Sequence, residues 1–252
     1  MDKRETEINE NSVKNSNKKD RRNWLYAFAV FVVRLIFKPL YRYRVIGKEN
    51  LPKNGRFLYV SNHISELDPI FLALISKRQI HYMAKQELFK IKIFGMLLKF
   101  IGTFPVERGT GGASALDKAN EYLNDEKVVG IFIEGTRSKN GELLKPKTGV
   151  SLVAYRAKTP VIPISIASSN GKYPKPFGKV LINIGKAIEY DGLDIQDSTG
   201  IQLRKASRIM MAEIKELYDE SRNILGVPIP APVEKAVPKK IDTEIAEKAE
   251  KE

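Results

Sequence analysis

The stretch Phe57–Ser76, FLYVSNHISELDPIFLALIS, contains two apolar runs separated by a polar break. The first run, Phe57–Val60, has the length and the aromatic and β-branched content of a buried strand. Pro69 marks a helix start, because proline is favoured in a first helical turn, and the second run reads as a helix over Pro69–Ser76. Between them stand His63, one of two histidines in the chain, and Asp68. On one continuous helix, residues five apart point about 140° from each other and could not cooperate. Across a strand-to-helix break they can meet, and a carboxylate bonded to one imidazole nitrogen fixes the tautomer and raises the basicity of the other. A plainer reading uses the same residues: Asp68 before Pro69 as a helix cap, with Ser65-x-x-Asp68 resembling a capping box. Taken alone, the stretch leaves both readings open.

Working outward, the pattern of strand followed by helix repeats. Strands are expected near Tyr43–Ile46, Phe57–Val60, Ile80–Met83, Val128–Ile133, Val161–Ile166 and Val180–Ile184. Helices are expected near Pro69–Ser76, Ala113–Leu123, Val150–Arg156 and Ile201–Leu217. Such alternation predicts a single α/β layered domain over residues 42–226, its sheet largely parallel or mixed and flanked by helices. Residues 1–22 are polar and read as disordered, and 227–252 form a Pro/Ala/Lys/Glu-rich tail.

Residues 23–41 contain WLYAFAVFVVRLIFKPL, whose uncharged part, Trp24–Val33, is ten residues long. That is half of the roughly 20 needed to span a bilayer, and no small-residue cleavage site follows as in a signal peptide. Residues 23–41 read as a membrane-associated amphipathic helix lying in the interface, with a buried core helix as the alternative. A second stretch, FKIKIFGMLLKFIG (Phe89–Gly102), sets Lys90, Lys92 and Lys99 among apolar residues, where lysine stems can lie along apolar surface while the ammonium groups reach headgroup phosphates.

The chain has 252 residues, no cysteine and a net charge of +13. Without cysteine there is no disulfide, thiol nucleophile or thiolate-bound metal. Residues 1–22 carry +2 and residues 227–252 carry −1, so +12 belongs to the body of the chain. A body so charged favours an anionic partner: nucleic acid, anionic headgroups, a phosphorylated substrate or an acidic carrier protein.

Three further segments could carry chemistry. In FIEGTRS, Phe132–Ser138, Glu134 to Arg137 fall at the carboxyl end of an apolar strand, where α/β sheets place ligands, although a tight turn with a surface arginine reads equally well. Gly130 and Gly135 have P-loop spacing, but Thr136 stands where the lysine must be. In GTFPVERG, Gly102–Gly109, Arg108 can hold a phosphate by paired hydrogen bonds. In KPKTG, Lys145–Gly149, two lysines precede a helix. His81 lies inside an alternating apolar run and reads as structural, and two histidines without cysteine make a metal site improbable. No G-x-S-x-G elbow is present, so a histidine base would act on the acceptor itself.

Taken in order, these segments resemble the glycerolipid acyltransferase family, in particular the 1-acyl-sn-glycerol-3-phosphate acyltransferases. The H-x-x-x-x-D block matches His63 and Asp68 after Asn62, and the G-x-x-F-x-x-R block matches Gly102 and Arg108, with Pro105 in place of phenylalanine. The F-P-E-G-T-R block matches Phe132, Glu134, Gly135, Thr136 and Arg137, with Ile133 in place of proline. The fourth, proline-centred block matches VIPISI around Pro163, and Lys85 and Lys147 fall where such enzymes commonly carry lysine.

The resemblance implies a direct transfer of a fatty acyl group from a thioester to the sn-2 hydroxyl of lysophosphatidic acid, giving phosphatidic acid. It makes His63 the base and Asp68 its orienter. Arg108, Glu134, Gly135, Thr136 and Arg137, with Lys85 and Lys147, would hold the glycerol phosphate. It implies no cofactor; acyl-CoA or an acidic acyl carrier protein would be the donor, at the cytoplasmic face of a membrane as a peripheral or monotopic protein. A nucleic-acid-binding module would account for the charge but gives His63, Asp68 and the EGTR segment no role.

Overall fold

The computed structural model describes residues 24 and 26–229, except 91, 93, 94, 97, 99–101 and 107–112. Seven strands form one sheet: β1 (Arg42–Ile46), β2 (Phe57–Ser61), β3 (Ile80–Lys85), β4 (Phe104–Val106), β5 (Val128–Phe132), β6 (Val161–Ser168) and β7 (Lys179–Ile184). Their order across the sheet is β1-β7-β6-β2-β5-β3-β4. Every neighbouring pair is parallel except β6 and β7, which run antiparallel. The expected mixed α/β sheet is therefore present, with the short strand β4 added at its edge.

Helices flank the sheet, among them α1 (residues 26–40), α2 (Asp68–Ile75), α3 (Ala113–Asn124), α4 (Gly149–Ala157) and α5 (Gly200–Leu225). The alternation of side chains along β2 sorts the core into two layers. Leu58 and Val60 point into a cluster with Val153, Ala154, Leu203, Met210 and Ile214 of α4 and α5. Tyr59 points the other way, into a cluster with Phe71, Leu72 and Ile75 of α2 and with Ile162 and Ile164 of β6. The strands are buried on both faces, which is why they read as continuous apolar runs rather than as alternating ones. Helix α5 continues to Leu225, eight residues beyond its expected end; its last turns stay anchored through Tyr218, whose hydroxyl donates to the Gly141 carbonyl at 2.6 Å.

Helix α1 lies on the α2 side. Tyr26 and Val30 pack against Ile70, Ala73 and Leu74, and Phe37 and Tyr41 meet the edge of the Phe71 ring at centroid distances of 5.6 and 5.4 Å. Its other side leaves Phe28, Phe31, Leu35 and Ile36 exposed, so α1 is neither a fully buried core helix nor a polar surface helix. Among the described residues no helix is long and apolar enough to cross a membrane. Of the Phe89–Gly102 stretch, Leu98 is buried against α1 and Met96 is exposed, and about half of its residues lie outside the described ones.

Candidate active site

The register of two parallel neighbours builds the site. Ser61 of β2 lies opposite Phe132 of β5, so His63 and Glu134 leave their strands side by side at the carboxyl edge of the sheet. Two backbone bonds lace the two exits together, and two more fold the chain that follows β5. Ile133 N–H donates to the Ser61 carbonyl at 3.0 Å and Ser138 N–H to the His63 carbonyl at 2.8 Å; Lys147 N–H donates to the Ile133 carbonyl and Gly135 N–H to the Phe132 carbonyl. Gly135 adopts φ +68°, a left-handed conformation that glycine takes without strain, and this closes the turn.

Asn62 continues the β2–β6 pairing where the backbone ladder stops. Its amide donates to the Ile166 carbonyl at 3.0 Å and accepts from Ile166 N–H at 2.8 Å, imitating a peptide unit while fully buried. One residue later, the His63 ring stacks on Phe132 with centroids 4.0 Å apart.

His63 Nδ1 lies 2.8 Å from Asp68 Oδ2. The same oxygen accepts from the N–H groups of Ile64 at 2.7 Å and Ser65 at 2.8 Å, and the Ser65 hydroxyl accepts from Leu67 N–H at 3.1 Å. The helix-start and catalytic-pair geometries are thus both built from one carboxylate. Asp68 does not cap the first amides of α2; it reaches back to the two amides preceding the helix. Burial pushes its carboxyl above the usual carboxylate range, and the bond from His63 pulls it back. With Nδ1 committed to Asp68, Nε2 is the imidazole nitrogen left for chemistry on a ring that is 18% exposed.

Glu134 stands elsewhere than expected. It is buried, with Oε1 accepting from His63 N–H and Oε2 from Leu144 N–H, both at 2.9 Å. With both oxygens engaged by the backbone, it ties the His63 loop to the 139–147 segment and is not presented to a phosphate. Burial raises its carboxyl to about 6, against the pull of those two amides.

The groups open to solvent are Gly135, Thr136, Arg137 and Lys147. A Cβ on Gly135 would stand 3.2 Å from Lys147 Cγ, so the lysine stem lies along the turn. Arg137 pairs with Glu66, both side chains about half exposed. Lys85 ends β3 at the same edge of the sheet, and Arg108 lies outside the described residues. A shallow depression on α5, lined by Ile201, Arg204 and Arg208 among others, includes none of these groups. The second histidine, His81, stacks on Tyr122 at 4.1 Å between centroids.

Sequence reasoning placed Asn62 only as the residue before the His63 block and gave Phe132 no part beyond its own block. An amide inside a strand exit next to a histidine was the available signal for Asn62. Ring stacking on Phe132 had no local signal, because it depends on the register between β2 and β5.

The acyltransferase family matches residues 42–167, half of the chain, and this span holds His63, Asp68 and Glu134 through Arg137. The chain belongs to the acyltransferase family. A 1-acyl-sn-glycerol-3-phosphate acyltransferase of Bacillus subtilis is 35% identical over 166 residues, which are 65% of this chain and 82% of that protein. The human 1-acyl-sn-glycerol-3-phosphate acyltransferase beta is 30% identical over 171 residues, covering 64% of this chain and 62% of its own length. In structure, the acyltransferase resembles the crystal structure of the 1-acyl-sn-glycerophosphate acyltransferase PlsC of Thermotoga maritima, with a TM-score of 0.54 and 27% identity over 69% of this chain and 72% of that one.

Proposed function

We propose that this acyltransferase moves a fatty acyl group from a thioester to the free sn-2 hydroxyl of 1-acylglycerol 3-phosphate, forming phosphatidic acid. The observation that carries the reading is the His63–Asp68 pair, with Nε2 left open at the sheet edge that also carries the exposed cations Arg137 and Lys147. The relatives bearing that activity in their names support the choice of acceptor.

In the proposed step, His63 Nε2 takes the proton of the acceptor hydroxyl as its oxygen attacks the thioester carbonyl carbon. Asp68 accepts the Nδ1–H bond and balances the imidazolium. Collapse of the tetrahedral intermediate breaks the C–S bond, and the thiolate takes the proton from His63. A positioned base of this kind supplies about 10²–10⁴-fold, and the rest comes from orientation and charge stabilisation. Thr136, the Gly135 turn, Arg137 and Lys147 hold the acceptor phosphate, with Lys85 and Arg108 as further contacts. Glu134 fixes the His63 backbone instead of binding phosphate. The Glu66–Arg137 pair is exposed and worth only about 0–1 kcal/mol, so a phosphate dianion can displace Glu66 from the guanidinium.

The donor is acyl-CoA or an acidic acyl carrier protein, in keeping with the basic body. The enzyme works at the cytoplasmic face of a membrane, held by the exposed apolar side of α1. The test is purified enzyme given lysophosphatidic acid, glycerol 3-phosphate or a neutral lysolipid, each with either donor. Phosphatidic acid from lysophosphatidic acid at the highest kcat/KM is the expected result. Preference for glycerol 3-phosphate would move the acceptor one acylation earlier, and free fatty acid without an acylated product would replace the transferase reading with a hydrolase.

A further inference from the structure

The segment joining β6 to β7, residues 169–178, reads SNGKYPKPFG. It leaves the carboxyl end of β6, two residues beyond the Ile166 that Asn62 holds, so it rises from the same sheet edge as His63. On it Tyr173 and, just before β7, Phe177 are 47% and 68% exposed. Large aromatic side chains bare to water on one short loop are not a packing solution, because nothing among the described residues covers them.

The loop is built rather than slack. Ser169 N–H donates to the Lys179 carbonyl at 2.9 Å, and Lys179 N–H donates to the Ser169 hydroxyl at 3.1 Å. The Ser168 hydroxyl donates to Asn170 Oδ1, and the buried Arg222 donates to the Gly171 carbonyl at 3.3 Å. Phe177 is held at φ +63°, a left-handed conformation that costs a bulky residue on the order of 1–2 kcal/mol. Its N–H donates to the Leu40 carbonyl, the last residue of α1, at 2.6 Å. A strained backbone therefore presents a bare aromatic ring beside the end of the helix whose outer side also carries Phe31, Leu35 and Ile36 exposed.

The charge carried by these two segments has one sign. Residues 169–179 contain Lys172, Lys175 and Lys179 and no acid; residues 24–42 contain Arg34, Lys38 and Arg42 and no acid. Lys175 stands over the Tyr173 ring at 5.8 Å, as at an interface where an aromatic enters the headgroup layer and an ammonium meets the phosphates.

We propose that the β6–β7 hairpin is a second membrane-insertion element, which enters an anionic bilayer through Phe177 and Tyr173 and, together with α1, turns the His63 edge of the sheet toward the lipid surface. The inference rests on the reading of α1 as a membrane-lying helix and adds a contact that α1 alone does not supply. With two attachment points, the edge where an acceptor lipid must enter is fixed against the surface; with α1 alone, the body could pivot about the helix.

The test is co-sedimentation of the full chain with vesicles of phosphatidylcholine containing about one third phosphatidylglycerol. The hairpin variant is Phe177→Gly with Tyr173→Ser; glycine accepts φ +63° without strain, so the fold is kept or stabilised, and the melting temperature checks this. A parallel α1 variant carries Leu35→Ser and Ile36→Ser. The proposal expects the hairpin variant to lose about tenfold or more in partitioning, as burial of one large aromatic implies, and to lose activity on vesicle-borne acceptor while keeping it on a monomeric short-chain acceptor. Wild-type partitioning of the hairpin variant beside a weakened α1 variant would overturn the hairpin proposal and leave the α1 reading standing. If neither variant partitions differently from wild type, both fall. A hairpin variant that changes self-association instead of vesicle binding would assign the hairpin to a second copy of the chain and overturn the lipid assignment.

Discussion

The two sides of the candidate active site are built in opposite ways. On the base side, His63, Asp68, Asn62 and Glu134 are held by short hydrogen bonds to one another and to backbone, and all but the histidine ring are buried. On the anion side, Thr136, Arg137 and Lys147 are exposed, and the one ion pair among them, to Glu66, is open to water. Proton transfer needs a nitrogen held in place before the substrate arrives, whereas a phosphate needs cations able to close on it. The difference predicts that damage to the base side lowers kcat and damage to the anion side raises KM.

The largest effect is expected at the pair itself. His63→Ala should lower kcat by about 10³-fold or more in a chain that still unfolds cooperatively, and Asp68→Asn by about 10²-fold, because the amide no longer balances the imidazolium. Steady-state kinetics alongside thermal unfolding check both.

Glu134→Gln comes next. Glutamine offers one acceptor oxygen, so either the His63 or the Leu144 amide loses its partner, and kcat should fall about tenfold as the His63 backbone loosens. The Glu134 carboxyl, raised to about 6 from 4.5, binds its proton more tightly in the folded chain than in the unfolded one. Its contribution to stability is therefore fully present below about 4.5 and is lost as pH rises through about 6, a loss of roughly 2 kcal/mol. Unfolding between pH 4.5 and 7 should show this loss in wild type and not in Glu134→Gln. Activity moves the other way, because only the ionised carboxylate accepts from both amides.

On the anion side, Arg137→Ala should raise KM for lysophosphatidic acid by about tenfold with kcat nearly kept, as for one lost charge-assisted bond. Glu66→Ala should change KM by less than about threefold, and downward, since it frees the guanidinium. A large kcat loss in either variant would erase the contrast between the two sides.

Much of this was legible before the fold was known. The strand-to-helix break at Ser61–Pro69 and the apolar run before Glu134 follow from local periodicity, and the sheet bears them out. The partners of Glu134 were not legible, because Leu144 reaches it through a loop and His63 through strand register. Strand β4 was missed because three residues around Pro105 give no period to read. Phe177 carried no signal, since its conformation is imposed by the Leu40 carbonyl at the end of α1.

Direct passage of the acyl group from thioester to acceptor, with His63 as base, is tested by a rapid-quench experiment with radiolabelled acyl thioester. Mixed with enzyme alone, the donor should yield neither labelled protein nor free thiol, and both thiol and phosphatidic acid should appear together once lysophosphatidic acid is added. A stoichiometric burst of thiol with label on the protein before acceptor is present would contradict direct transfer.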